Sequence, residues 1–245
     1  MSLNHAAEKN TEETALKNGN PPAVVWDYDR VLSDGPAYRR LVEGWYEADH
    51  LDDDTYDAFD SVNRSDYRND QEFEGDLLYR VTDGLEGQSK GELFATTADL
   101  VVQHRDEFLS SDAHDILHRL ERHGFENHII SHNYRILFDA LADHSPIDEN
   151  NVHANRLEVG EDGRLTGRLA ANTYRVGKRR IVADIANQQY VRAGIGDSVA
   201  DIPLLRAAED AFATNPTDEL REEAEDSAHI QTAEDLGTVA EHLLE

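Results

Sequence analysis

Val24, Val25 and Trp26 run directly into Asp27, and a second carboxylate, Asp29, follows two residues later. Further along, Ser131 closes the apolar run ENHIIS and Lys178 opens an amphipathic segment. GIGDSVAD then delivers Asp197 and Asp201 after another apolar run. Taken singly, each has an ordinary reading: an acid pair in a turn, a serine as a helix N-cap, a lysine solvated on a first turn. As an ordered set they point elsewhere. Carboxylates that converge repel one another unless a cation sits among them, and hard oxygen donors suit Mg²⁺. An ammonium, a hydroxyl and loop N–H groups around such a metal are built for a phosphate. One carboxylate can then attack phosphorus while its neighbour carries the proton.

Positioning such a set requires several strands that end on one edge. AVVWDYD (23–29) reads as a buried strand, ENHIIS (126–131) as a second and VRAGIGD (191–197) as a third, with AFAT as a short fourth. Helical spacing separates them: Tyr38, Leu41, Val42 and Trp45 share one face, as do Ile116, Leu117 and Leu120 ahead of Gly124. Further helices are expected around residues 56–62, 73–81, 95–108, 134–143, 177–188 and 202–210, and two more at the C-terminus. VHANRLEVGEDGRLTGRL (152–169) reads as a hairpin turning at EDG. The alternation predicts an α/β fold: a Rossmann-like parallel sheet core with helices on both faces. Residues 37–95 are helical between the first two strands and read as an inserted helical cap. They would divide a core of residues 21–36 and 96–245, preceded by a flexible tail, 1–20.

Composition narrows the function classes. Acidic residues number 51 against 23 lysines and arginines, for a net charge of −28, so nucleic acid is excluded as a partner. Only Lys9, Lys17, Lys90 and Lys178 are lysines. The acids are spread along the chain and interleave with apolar periodicity, which suits a folded protein in a high-salt cytoplasm. There the Debye length falls to about 3 Å at 1 M salt, and the fold should weaken in dilute buffer. No apolar run reaches the roughly 20 residues of a membrane span, and the N-terminus carries no secretory pattern, so a cytoplasmic location is expected. With no cysteine, disulfides, thiolate metal sites and cysteine nucleophiles are excluded. The oligomeric state is left open.

The order DYD, IISHN, GK and GIGDSVAD resembles the four motifs of the haloacid dehalogenase-like (HAD) hydrolase superfamily, over about residues 23–225. Within it the chain is similar to the phosphoserine phosphatase-like branch. FEGDLLYRVTDGLEG resembles that branch's cap helix, and the 152–169 hairpin and IPLLRAAEDAFATNP resemble the segments flanking its last motifs. The resemblance implies a phosphatase acting on a small phosphorylated metabolite, phosphoserine included. Asp27 would be the nucleophile and Asp29 the acid and base. Mg²⁺ would be held by Asp27, the Asp29 carbonyl and Asp197, with Asp201 beside it. Ser131 and Lys178 would grip the phosphate, and Arg80 a substrate carboxylate.

The departures from that pattern are specific. Val31 stands where the family carries a hydroxyl, and His132 with Asn133 where a glycine is usual, making both candidates for substrate contact. Pro36 falls where an acid would hold a substrate amine. Phosphoryl transfer to another acceptor, or a decayed site used only for binding, are the competing readings. A receiver domain fails on motif order and a metal-independent dehalogenase on the paired acids.

Overall fold

A computed structural model of the chain describes residues 19–63, 67 and 70–245, so most of the expected 1–20 tail lies outside the described residues. The chain alternates β1 (Ala23–Trp26), α1 (Ala37–Glu47), α2 (Asp53–Asp60), α3 (Asp70–Gly84), α4 (Lys90–Gln103), α5 (Arg105–Phe108) and α6 (Ser111–Arg122). There follow β2 (Glu126–Tyr134), α7 (Arg135–Leu141), the hairpin β3 (Val152–Val159) and β4 (Leu165–Ala171), α8 (Thr173–Val176) and α9 (Lys178–Gln188). The last elements are β5 (Val191–Gly196), α10 (Ile202–Ala207), β6 (Asp210–Thr214), α11 (Asp218–Asp226), β7 (Ile230–Ala233) and α12 (Leu236–Leu244).

Seven strands form one sheet in the order β4-β3-β2-β1-β5-β6-β7. Every pairing is parallel except that of the β3–β4 hairpin. The fold is α/β and Rossmann-like. Strand alternation sends neighbours to opposite faces. Val24, Trp26, Ile129, Ile195 and Phe212 join a cluster with α6 and α12, whereas Val25, Ile130, Ala211 and Ala213 join one with α9, α10 and α11. The first cluster does not stop at the sheet. It continues through Tyr134 and Leu137 into Leu41, Trp45, Leu78, Val81 and Leu93 of α1, α3 and α4. Buried polar contacts tie these helices to each other and to β2: Trp45 Nε1 donates to Thr97 at 2.9 Å, and the Tyr134 hydroxyl to the Leu78 carbonyl at 3.0 Å.

Local chemistry sets the helix ends. Ser110 caps α6 through the Ala113 N–H, Asp112 lies in its first turn and Arg119 and Arg122 in its last, matching the helix dipole. Gly124 then takes φ 86°, the left-handed stop expected of it. Two elements differ from expectation. β2 runs on to Tyr134 instead of ending at Ser131, and β7 lies between what read as two successive helices.

Candidate active site

The site is assembled where β1, β2 and β5 end together. β1 stops at Trp26, and the Asp27 N–H still bonds the Ile195 carbonyl of β5 at 2.9 Å, which holds the two strand ends in step. The next turn folds over Tyr28, whose carbonyl accepts from the N–H groups of Val31, Leu32 and Ser33. Arg30 takes a left-handed φ of 62° inside this turn. Val31 is buried in the main cluster, so it serves as a core residue of the turn.

Lys178, at the first position of α9, is almost wholly buried, and its ammonium lies 2.6 Å from Asp27 Oδ1 and 2.6 Å from Asp201 Oδ1. Asp201 is fixed on its other oxygen, which accepts from the N–H groups of Asp197 and Ser198 at 3.0 Å each. Gly196 permits that approach, since a Cβ there would meet the Asp201 Cβ at 2.3 Å. Asp197 Oδ2 lies 2.8 Å from an Arg30 nitrogen but receives no hydrogen bond, which leaves a buried carboxylate oxygen without a directional donor. Asp27, Asp197 and Asp201 each offer an oxygen within 4.8 Å of the others. This set of hard donors, with one oxygen unsatisfied, fits a small divalent cation.

Burial sets the protonation behaviour. It raises the Asp27 pKa, and Asp201 adds to the rise while Lys178 opposes it. For Asp29, burial and then the Asp27 charge push the pKa to about 7. Asp197 is pushed to about 8 by burial and then by Asp27 and Asp201. Burial disfavours the Lys178 charge, but Asp201 and Asp27 outweigh it and hold its pKa above the ordinary value. Asp27, Asp29, Asp197 and Asp201 thus stand against two protein cations, Lys178 and Arg30.

The third wall is irregular. Ile130 pairs with His153 and Tyr134 with Asn155, so residues 131–133 of β2 stand opposite the single Ala154 of β3. Such a bulge re-aims side chains. It turns His132 and Asn133 toward a cavity of about 280 Å³ that Asp27, Asp29, Lys178 and Asp197 also line. Asn133 Nδ2 reaches Asp29 at 3.5 Å, while the Tyr38 N–H approaches the other Asp29 oxygen at 3.4 Å. Ser131 itself is buried, with its hydroxyl accepting from the Asn133 N–H at 3.0 Å. Arg80 is not brought into the group: it lies exposed on α3, paired with Asp76 at 2.5 Å, and does not line the cavity. Asn155 and Thr173 escaped sequence reasoning. Asn155 bonds the His132 carbonyl and accepts from Thr173, whose hydroxyl also donates to the Ser131 carbonyl, so the pair braces the bulge. A buried asparagine in the hairpin pattern VHANRLEV was the signal available.

The model of the haloacid dehalogenase-like hydrolase family matches residues 24–206, and the chain belongs to that family. No curated protein matches the sequence. Among solved structures, a protein of unknown function from Bordetella pertussis Tohama I aligns at TM-score 0.68 and 18% identity, covering 87% of this chain and 98% of its own. A substrate-bound phosphoserine phosphatase aligns at TM-score 0.61 and 17% identity, over 90% of this chain and 97% of its own. A phosphoserine phosphohydrolase-like protein from Francisella tularensis subsp. tularensis SCHU S4 gives 0.61 and 16%, over 91% and 99%. At these identities the likeness is one of fold.

Proposed function

We propose that the protein is a Mg²⁺-dependent phosphomonoester hydrolase that works through an aspartyl-phosphate on Asp27, with a small phosphorylated metabolite as substrate. The observation that carries this reading is the buried Lys178 ammonium clamped between Asp27 and Asp201 beside the unsatisfied oxygen of Asp197. Asp27 and Asp197 would hold the metal with the Asp29 carbonyl, and Asp201 would fix Lys178 and the Asp197 loop. When bound, Mg²⁺ supplies positive charge that offsets the carboxylates and the phosphoryl oxygens. Residues 37–95 act as the cap over this centre, and residues 21–36 with 96–245 as its core.

In the first step an Asp27 oxygen attacks phosphorus and the bond to the ester oxygen breaks. Asp29 gives its proton to the departing alkoxide, a task suited to a carboxyl whose pKa sits near neutrality. In the second, Asp29 takes a proton from water, the water oxygen bonds to phosphorus, and the Asp27–phosphorus link breaks to give inorganic phosphate. Lys178 keeps the Asp27 carboxylate charged and aimed, and Ser131 and Asn133 are the polar groups proposed for the phosphate side. Phosphate release from small monoesters with Mg²⁺ tests the reading. Asp27→Asn should abolish it, and Asp29→Asn should lower it by at least about a hundredfold. Release that persists in Asp27→Asn would refute the assignment.

A further inference from the structure

Beyond the carboxylates, the cavity wall is supplied by the insert and by α8. Pro36, Tyr38, Phe59, Phe73, Leu77 and Tyr174 line it. Its two arginines each face a protein carboxylate. Arg39 pairs with Asp60 at 2.8 Å and Glu43 at 3.5 Å while lying 5.3 Å from the centre of the Phe59 ring. Arg30 faces Asp197 at 2.8 Å. Among the described lining residues the acids are Asp27, Asp29 and Asp197, all proposed for the chemistry itself. Among the described lining residues no acid outside the reacting centre is offered to a substrate ammonium, and a charged group placed against these rings and leucine would be unfavourable.

We propose that the alcohol portion of the substrate is uncharged and apolar: an aromatic or branched-alkyl phosphomonoester whose hydrocarbon body packs against Phe59, Phe73 and Leu77. This rests on the phosphatase reading and narrows it. A cavity of about 280 Å³ accommodates roughly one ring and a phosphate, at the small end of ligand sites. It makes phosphoserine a poor substrate on a fold shared with phosphoserine phosphatases.

The test compares 2-phenylethyl phosphate with O-phosphoserine on the full-length protein with Mg²⁺. Both are primary alkyl esters, so the leaving groups are similar and the ratio of kcat/KM reads the alcohol pocket. The expected ratio favours 2-phenylethyl phosphate by about a hundredfold. In Phe73→Ala, and separately in Leu77→Ala, that ratio should fall by about tenfold, a readout unaffected by partial loss of folded enzyme. A parallel calorimetric titration of Asp27→Asn with each ester measures binding without turnover. A ratio at or below unity overturns the inference and leaves the phosphatase reading standing. No release from either ester removes the phosphatase reading, and the titration then decides: tighter 2-phenylethyl phosphate supports the apolar pocket, and equal or weaker binding overturns it.

Discussion

Lys178 holds together two carboxylates that would otherwise repel. Its ammonium is the protein's own counter-charge for Asp27 and Asp201, and none of the three is appreciably exposed. Replacing it with a neutral side chain strands two buried carboxylates. Lys178→Met should therefore destabilise the metal-free protein by about 3–5 kcal/mol in urea unfolding. An unchanged midpoint would show that the carboxylates are neutralised some other way. Arg30 makes the opposite prediction. Its left-handed φ of 62° suits glycine better than arginine, and its guanidinium faces the carboxylate proposed to hold the metal. Arg30→Gly should tighten Mg²⁺ binding measured by calorimetry without substrate, because a cation competing for Asp197 is removed. Unaltered or weaker binding would mean that Arg30 does not compete for Asp197.

At the scale of elements, the strand ends depend on close backbone packing. Gly196→Ala would drive a Cβ into Asp201, displacing it from Lys178. A loss of about 1–3 kcal/mol in urea unfolding should accompany a loss of phosphate release. Behind the bulge, His153 of β3 stacks on His128 of β2, ring centres 5.9 Å apart, and one nitrogen of each is buried without a hydrogen-bond partner. Burial, then His128 and Arg135, hold the His153 pKa down to about 4, against Asp184. Burial also lowers His128, opposed by Gln189, Glu126 and Asp148. The fold thus prefers the neutral ring. Between about pH 6.5 and 4 the unfolded chain binds the extra proton, so this contribution is present above 6.5 and is lost as pH falls. His153→Leu should flatten the acid side of the unfolding-temperature profile; an identical acid limb in the variant would remove His153 as its cause.

These elements also mark what could be read in advance. Strands β1 and β5, the 152–169 hairpin and the helix closing at Gly124 follow from apolar runs and turn residues. β7 did not: it has four residues, alternates only weakly in burial and lies at the sheet edge, so nothing separates IQTA from its flanking helices. The extension of β2 was hidden because SHNY is polar and bulged, and its register is imposed by Asn155 and Thr173 from distant segments. For the same reason Asp27, Lys178, Asp197 and Asp201 were visible as candidates at strand and helix ends, whereas the cavity's apolar wall needed three-dimensional placement of helices α1 to α3. Arg80 was a candidate through the family resemblance alone, and in the fold it pairs with Asp76.

For the whole molecule, charge and core work against each other. A single apolar cluster joins the sheet to the insert, while a net charge of −28 favours expansion. Among the described residues no helix is long and apolar enough to cross a membrane. Self-repulsion of this size should make stability rise steeply with salt, because about 1 M salt shortens the Debye length to about 3 Å. The unfolding temperature should therefore climb from dilute to molar KCl, and a flat profile would show that the acids are locally compensated. The most direct test of the central claim is to acid-quench the protein during turnover with Mg²⁺ and a phosphomonoester, then map the product by mass spectrometry. A single phosphoryl group on the peptide containing Asp27, absent in Asp27→Asn, is the predicted result. Phosphate release with Asp27 never modified would contradict it.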